Sequence, residues 1–427
     1  MRDITKTKIA YKSIPIIILT VLLVCFSIFN TSLVMSKIVS AAVVVVSFYN
    51  TIKVRKNWLL LIIFSFIFYC NYSICIADYL WPIENDYLTS LRFDDSAIVS
   101  INILLVFNLA LTLFVELSGN NKKIEKSLYF DSPSNSVIVF GAILVLVFIF
   151  IFGFSRPNIA GQRGNPSAYF EYSLIIFIVA FYYAGTKFEN LVLVFLAIMY
   201  ILTNVIYGVR ITALQLVFCL FLIFLSYKVS LYKILPYVLV MILVFYSIGI
   251  FRANFDFSIE GFKKTIDVML NRKFVSDTAY SSFFTSQTFV KVADDMSFFE
   301  RLPVSMKSIL LNIFGGSLIE GGNLAEYTRT YYMHYYGGIL PFFGWFYAKW
   351  IGVLAFAIYV IFLLNIIVNN YEKSGFRACA AIYIVSSVPR WYLYSPLQLI
   401  RGLLLFILVY AICNMFDRTY KKKELKV

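Results

Sequence analysis

Apolar stretches long enough to cross a lipid bilayer dominate this sequence, and about twelve of them can be counted. Hydrophobic residues make up 61% of the 427, a share that soluble domains of this length do not reach. The stretches are continuously apolar, whereas barrel strands would alternate, so the sequence predicts an all-α, polytopic membrane protein with about twelve transmembrane helices. The predicted spans are Ile14–Phe29, Ser32–Tyr49, Trp58–Ile76, Ala97–Leu117, Val137–Phe154, Tyr172–Gly185, Leu191–Tyr207, Ile211–Tyr227, Ile234–Ile250, Lys349–Val368, Cys379–Leu393 and Leu397–Phe416.

Lysines concentrate in one set of connections between the spans, and this set predicts the cytoplasmic side. With the N-terminus inside, both termini are cytoplasmic, and we expect a bacterial inner membrane as the location. The first apolar run has no small-residue cleavage site, so it is interpreted as a retained helix. The net charge of +14 comes from residues that flank spans, so no nucleic-acid partner is predicted. The lysines are Lys6, Lys8, Lys12, Lys53, Lys56, Lys122, Lys123, Lys126, Lys187, Lys228, Lys233, Lys373, Lys421, Lys422 and Lys423.

This threading divides the chain into three parts. Residues 1–250 form an N-terminal bundle of about nine helices, residues 251–346 form one large outer loop, and residues 347–427 form about three further helices and a basic tail. Within the loop, apolar residues at helical spacing over 259–270 predict an amphipathic helix at the membrane interface. A second short helix is predicted over Ser305–Phe314, because two glycines follow it.

The short outer connections and the outer ends of spans carry arginines instead of lysines. Lys349, at the outer end of one span, is an exception. The guanidinium group is a planar fork of donors that matches phosphate oxygens, so the set predicts an outward-facing anion site, with a lipid diphosphate as the expected anion. Pairing with carboxylates or snorkelling to headgroups is the alternative for any single member. The arginines are Arg92, Arg156, Arg163, Arg210, Arg252, Arg390 and Arg401.

Glu326, Arg329 and His334 form a second constellation, inside a segment rich in tyrosine and glycine. A carboxylate or a neutral histidine near a lipid-linked sugar can accept the proton of a hydroxyl, so Glu326 and His334 are the candidate catalytic bases. The alternatives are an ordinary surface pair for Glu326 and Arg329, and a hydrogen-bonded interfacial histidine. The neighbouring tyrosines Tyr327, Tyr331 and Tyr335 are candidates for stacking on sugar rings, although an interfacial aromatic belt is the favoured interpretation.

Metal chemistry is not predicted. The acidic outer loop carries Glu84, Asp86, Asp94 and Asp95, which can hold a divalent ion but are more simply a solvated loop. The single histidine excludes a histidine-rich metal site, and six scattered cysteines without a CxxC motif are interpreted as small core residues.

The chain resembles the O-antigen polymerases, the Wzy-type oligosaccharide repeat-unit polymerases. The resemblance covers most of the length and includes the stretch GVRITALQL with Arg210, the segment GGNLAEYTRTYYMHYYGG and the ending PRWYLYSPLQLIRG with Arg390 and Arg401. It implies a metal-independent, GT-C-like glycosyltransferase without a cofactor. Such an enzyme transfers a glycan from undecaprenyl diphosphate onto a lipid-linked repeat unit at the periplasmic face, with a chain-length regulator as an expected partner.

Two other functions remain open. An O-antigen ligase, which transfers polymer to lipid A core, shares the outer loop and the arginines and carries a histidine near the end of that loop, where His334 lies. A lipid-linked oligosaccharide flippase belongs to a different class. It is disfavoured because transporters of this kind have short loops on both sides and internal symmetry, and no internal repeat is found.

Overall fold

The computed structural model of this chain is almost entirely helical. Among the residues described, the only sheet is one antiparallel pair of two-residue strands, β1 (Phe154–Ser155) and β2 (Asn165–Pro166). The all-α class predicted from the sequence is therefore confirmed. The structure describes residues 15, 18–20, 22–29, 32–81, 94–118, 133–157, 164–230, 233, 236, 258–315, 319–334 and 337–424.

Six helices in this part of the chain are long and apolar enough to cross a membrane, which supports a membrane-embedded protein. Further apolar helices are shorter, and the predicted span Ile234–Ile250 lies almost wholly outside the described residues. The number of twelve spans and the sidedness of the loops stay predictions. The six helices cover Met35–Lys53, Trp58–Leu80, Ser96–Leu117, Lys187–Ile206, Leu340–Asn369 and Leu397–Tyr420.

The chain forms two compact units that interleave along the sequence. Unit 1 comprises Met1–Lys122, Arg272–Val368 and Arg390–Gln398, and unit 2 comprises the remainder. The helices mainly of unit 1 are α1 (22–29), α2 (Leu33–Lys53), α3 (Trp58–Ile74), α4 (Asp94–Ser118), α10 (Asp277–Asp295), α11 (Phe298–Phe314), α12 (Leu324–Arg329), α13 (Leu340–Asn370) and α15 (Val388–Leu393). Those mainly of unit 2 are α5 (Ser136–Phe152), α6 (Ala168–Tyr183), α7 (Lys187–Ile206), α8 (Arg210–Phe224), α9 (Ile259–Asn271), α14 (Gly375–Ser386) and α16 (Leu397–Glu424).

Polar side chains define where many of these helices begin. Asn57 accepts the backbone N–H of Leu59 at the start of α3. Thr186 and Glu189 form a reciprocal capping box on α7, and α11 begins with the same arrangement. Such caps satisfy backbone donors that a helix leaves unpaired, and each is typically worth about 1 kcal/mol.

Buried amides connect the helices of unit 1. The Nδ2 of Asn71 donates to Oδ1 of Asn108 at 3.1 Å, and the Tyr392 hydroxyl donates to Oδ1 of Asn71 at 3.3 Å. Asn50 donates to the Asn108 carbonyl oxygen at 3.3 Å. Polar groups inside an apolar bundle are costly unless paired, so these bonds fix how α2, α3, α4 and α15 pack.

Helix α13 is broken inside its length. Ala348 has φ −148° and Lys349 has φ +50° and ψ −135°, a left-handed region that residues with a Cβ rarely adopt. Such a conformation costs on the order of 1–3 kcal/mol. At the break, Gly344 and Gly352 approach so closely that neither position has room for a Cβ. The predicted span Lys349–Val368 begins at this break, and a further helical segment that starts at Leu340 precedes it.

The predicted span Cys379–Leu393 is two helices. Helix α14 ends at Ser386, Ser387 follows it, and α15 begins at Val388. Pro389 explains the break, because a proline is tolerated in the first turn of a helix and not in its interior. Both short helices predicted within residues 251–346 are present, as α9 and as the second half of α11, which ends at Gly315 with φ +102°.

Candidate functional site

Three of the predicted arginines lie at the same end of unit 2. Short connections join α6 to α7 and α7 to α8, and Phe154 after α5 and Gly164 before α6 both contact Tyr207 after α7. The end of α5, the start of α6, the end of α7 and the start of α8 therefore share one end. Arg156 follows α5, and Arg210 is the first residue of α8. The Arg401 guanidinium lies 5.6 Å from the centre of the Tyr172 ring, near the start of α6. We call this group of Arg156, Arg210 and Arg401 the arginine end.

The arginine end is held together by backbone bonds. Gly164 N–H donates to the Tyr207 carbonyl oxygen at 3.0 Å, and Ser167 N–H donates to that of Gly153 at 2.8 Å. The Phe154 ring packs against the Phe170 and Tyr207 rings, at 5.0 and 5.5 Å between centres. A Cβ on Gly164 would meet the Phe154 ring, so a close approach requires glycine there. The described residues next to Arg156 and Arg210 therefore hold each other in place.

Lysines gather at the opposite end of unit 2. Helix α6 ends there, α7 begins with Lys187, and Lys228 follows the last turn of α8. Gly375, two residues after Lys373, packs on the Tyr182 hydroxyl in the last turn of α6. Arg156, Arg210 and Arg401 thus lie apart from Lys187 and Lys228 within unit 2, whereas Arg377, at the start of α14, lies at the lysine end. The side of the membrane that each end faces stays a prediction.

Arg401 is placed by close helix packing. Its neighbour Gly402 lies against the Tyr383 hydroxyl of α14, where a Cβ would collide. Tyr383 in turn stacks on Phe406 with an angle of 9° between the rings. Arg401 and Arg210 are half-buried, whereas Arg156 is exposed and lies 5.9 Å from the Phe150 ring.

Arg390 belongs to unit 1. Its guanidinium is half-buried and lies 5.3 Å from the centre of the Tyr394 ring. Gly337, with φ +105°, packs between the Leu393 carbonyl, Ser282 and Tyr394. Gly338 N–H donates to the Leu393 carbonyl at 3.1 Å, which joins the tyrosine- and glycine-rich segment to α15. The other members of the predicted set, Arg92, Arg163 and Arg252, lie outside the described residues, as do Glu84, Asp86 and Tyr335.

His334 is buried rather than presented to solvent. Its Nε2 lies 2.9 Å from the Thr328 hydroxyl, and its ring meets the Phe289 ring edge-on at 6.5 Å. Thr328 also donates to the Leu324 carbonyl within α12 at 3.0 Å. This geometry is that of a histidine anchoring α12 to α10, which agrees with the alternative considered from the sequence; its role as a base stays a prediction.

Two of the predicted sugar-stacking tyrosines share a cleft. The Tyr327 and Tyr331 hydroxyls are 3.0 Å apart, and their ring centres are separated by 5.5 Å. The cleft has a volume of about 450 Å³, which is within the usual range for a small-molecule site. We call it the tyrosine cleft. Its lining residues are Val292, Asp295, Met296, Glu300, Tyr327 and Tyr331.

Glu326 and Arg329 are exposed on α12 and are not among the residues that line the tyrosine cleft. The carboxylates that do line it, Asp295 and Glu300, were not singled out from the sequence. They flank a short turn between α10 and α11, and only the packing of α12 on α10 brings the tyrosines against them.

Hydrogen bonds and burial shift the pKa values of side chains in and beside the cleft. The Ser297 side chain and backbone N–H hold the pKa of Glu300 below its ordinary value, the backbone bond to Oε2 being 2.8 Å long. Burial raises the pKa of Tyr327 to about 12, and the bond to Tyr331 adds to this. Burial and a 3.1 Å bond to Asp295 raise the pKa of Tyr332. At neutral pH the cleft therefore offers an ionised Glu300 and a neutral Tyr327.

A pair of cations beside this cleft was also missed. Arg301 Nη1 and Lys349 Nζ donate to the same carbonyl oxygen, that of Ala293, at 2.9 and 3.1 Å. Lys349 also pairs with Asp294 and lies 4.9 Å from the centre of the Trp345 ring. Burial lowers the pKa of Arg301, and Asp294 opposes that change. We call Arg301 and Lys349 the cation pair. Lys349 was visible in the sequence as the exception to the outer arginines, whereas Arg301 gave no signal.

Within the described residues, no three or more histidine, cysteine, aspartate or glutamate side chains are grouped so as to hold a metal ion. The side chains of Asp94 and Asp95 lie outside that description.

Comparison with known proteins adds no relative. No protein-family model matches the chain, and no curated protein or solved structure is significantly similar to it.

Proposed function

We propose that this chain is a glycosyltransferase of a bacterial inner membrane that joins oligosaccharide repeat units carried on a polyprenyl diphosphate, in the manner of an O-antigen polymerase. The observation that carries the proposal is the segregation of Arg156, Arg210 and Arg401 from the lysines within unit 2. Guanidinium groups gathered at one end of an apolar bundle suit a diphosphate whose lipid tail lies in the membrane.

The tyrosine cleft supports the sugar half of the proposal. Tyr327 and Tyr331 offer ring faces and hydroxyls, and Asp295 and Glu300 offer carboxylates. A hydroxyl of the acceptor sugar attacks the anomeric carbon of the donor glycan, and its proton passes to a carboxylate. The bond between that carbon and the diphosphate oxygen breaks, and the polyprenyl diphosphate leaves with the bonding electron pair. Glu326 and His334, predicted from the sequence, remain candidates for the base beside Asp295 and Glu300.

The first experiment uses purified full-length protein in lipid nanodiscs with a synthetic polyprenyl-diphosphate repeat unit. We expect a ladder of products on a gel. We expect Arg210→Lys and Arg401→Lys each to lower the rate of polymerisation at least about tenfold and so to shorten the products, because a lysine cannot form the bidentate bond to a phosphate group. Arg377→Lys is the matched control, since Arg377 is exposed at the opposite end of unit 2. Full-length ladders from both arginine-end variants would exclude the assignment.

A deletion strain separates the alternative functions. Loss of a polymerase leaves lipid A core capped with one repeat unit, whereas loss of a ligase leaves bare core and accumulated lipid-linked polymer. Loss of a flippase leaves single units on the cytoplasmic face. Either of the last two outcomes would replace the proposal.

The base is identified by substitution in the same assay. Asp295→Asn and Glu300→Gln test the cleft carboxylates, while Glu326→Gln and His334→Ala test the residues predicted from the sequence. The variant that loses the chemical step while still binding substrate identifies the base.

A further inference from the structure

Helix α11 has an inverted distribution of polarity. Its buried residues are all polar and repeat at intervals of four, three and four along one face, whereas helices of soluble proteins bury the apolar face. An apolar face that is exposed outside a folded unit suits lipid chains. The buried residues are Arg301, Ser305, Ser308 and Asn312, and the exposed apolar ones are Phe298, Phe299, Leu302, Met306, Ile309, Leu310 and Phe314.

The buried polar stripe of α11 faces the broken part of α13. The Ser308 hydroxyl lies 2.7 Å from the Tyr347 hydroxyl, which also accepts from Asn312 Nδ2 at 3.4 Å. One and two turns earlier on the same face are Ser305 and Arg301, and two residues to either side of Tyr347 are Trp345 and Lys349. The two helices are thus linked at Tyr347 and again at the cation pair, where Arg301 and Lys349 share the Ala293 carbonyl, and the Trp345 ring lies 4.9 Å from the Lys349 ammonium.

Three hydrogen-bond donors in this contact have no acceptor among the described residues: Nε of Arg301, the hydroxyl of Ser305 and Nε1 of Trp345. Their side chains are 5%, 3% and 6% exposed, so bulk water does not reach them freely. Buried donors in proteins are almost always paired, and an exception needs an explanation. An oxygen-rich anion would accept all three.

The charges around the cation pair also favour a bound anion. The cation pair brings two positive groups to the Ala293 carbonyl, and Asp294, which pairs with Lys349 alone, is itself about two-fifths exposed. Asp295, the next residue, forms an ion pair with the Lys291 ammonium at 3.7 Å and accepts a hydrogen bond from the Tyr332 hydroxyl. Glu300 precedes Arg301 in the chain but accepts from the Ser297 backbone N–H, and Arg301 makes no ion pair among the described residues.

We propose that Arg301, Ser305, Trp345 and Lys349 bind a phosphate group of a lipid-linked saccharide. Helix α11 presents the three chemistries that such a molecule needs: an apolar face for the lipid chain, the donors for the phosphate, and Glu300 of the tyrosine cleft for the sugar. The identity of the lipid rests on the proposed function, while the phosphate site itself does not. A polymerase holds a donor and an acceptor that each carry a diphosphate, so a second anion site besides the arginine end is consistent with that reaction.

The test measures binding rather than turnover, with full-length protein in nanodiscs. The probes are undecaprenyl phosphate, undecaprenol and inorganic phosphate, and the readouts are the dissociation constant and the rise in melting temperature on binding. The variants are Trp345→Phe and Ser305→Ala, which remove one unpaired donor each and are expected to leave the stability of the free protein unchanged or higher. Lys307→Gln is the matched control, because Lys307 is exposed on the same helix.

We expect each donor variant to weaken undecaprenyl phosphate binding about tenfold, and the control to bind as the wild type does. Undecaprenol should bind all variants alike. Equal binding of undecaprenyl phosphate by the wild type and both donor variants would overturn the site, even if the wild type makes polymer. Phosphate-dependent binding with no polymer would leave the site standing and remove the proposed function. Inorganic phosphate competing as well as the lipid at equal concentration would overturn the lipid-linked ligand.

Discussion

Arg301 and Lys349 donate to one carbonyl oxygen, that of Ala293, although the two residues are on different helices and 48 positions apart in the sequence. This arrangement joins the end of α10 to α11 and to the break in α13. It also explains why a lysine is held in a left-handed backbone conformation, since the ammonium secures a position that the backbone alone disfavours.

Substitutions at Lys349 test this explanation. We expect Lys349→Gly to be more stable than Lys349→Ala by about 1 kcal/mol, because both lose the ammonium but only glycine adopts φ +50° without a Cβ penalty. Thermal unfolding of the two variants in the same detergent measures the difference. Equal melting temperatures would show that the break relaxes when the lysine is removed.

The packing of Gly402 on Tyr383 predicts a clash that can be relieved. Gly402→Ala should destabilise the protein by about 1–3 kcal/mol, because the added methyl group meets the Tyr383 hydroxyl. Removing that hydroxyl with Tyr383→Phe should recover part of the loss, and alanine's better helix propensity then helps. The four proteins of this double-mutant cycle are compared by thermal unfolding. Additive effects of the two substitutions would contradict the contact.

Asn135 connects two helices of unit 2 through a buried carboxylate. Its Nδ2 donates to Asp417 at 2.9 Å, and its Oδ1 caps α5 by accepting Ile138 N–H. Asn135→Ala is expected to cost about 2 kcal/mol, because it removes a cap and a partner of a group that is 5% exposed. Asn190→Ala, at a more exposed position on α7, should cost less than half as much. A smaller loss for Asn135→Ala than for Asn190→Ala would refute the prediction.

Glu300 makes the start of α11 dependent on pH. Its pKa in the folded protein is below its ordinary value because Ser297 donates to it, so its contribution to stability is present above the unfolded pKa and is lost as the pH falls through the folded pKa. Glu300→Gln should flatten the decline in melting temperature over that acidic range. Melting curves of both proteins from neutral to acidic pH provide the measurement, and parallel curves would mean that the bond to Ser297 does not differ between folded and unfolded states.

Long apolar runs are the part of the fold that the sequence reveals most directly. A bilayer requires about 20 apolar residues per helix, and this requirement is visible in composition alone. The segregation of Arg210 and Arg401 from Lys187 and Lys228 follows from the same spans, because helices that alternate in direction place every second connection at one end.

The partners of individual side chains were harder to predict than the helix ends. Lys349 was predicted as the start of a span, and α13 breaks there, but the sequence did not indicate that its ammonium pairs with Asp294 and the Ala293 carbonyl. Likewise, His334 attracted attention because it is the only histidine, but a residue type does not reveal whether its ring faces a substrate or, as here, lies beside Thr328.

The sequence by itself determined that the helices are apolar enough for a membrane and which helix ends carry the charged residues. Both follow from the spacing of apolar and charged residues along the chain. Only the tertiary structure decided that Tyr327 meets Glu300 across a cleft and that Arg301 meets Lys349 at Ala293. Those contacts join separate helices, and their distances depend on how the helices pack and where α13 breaks, which no local pattern of residues encodes.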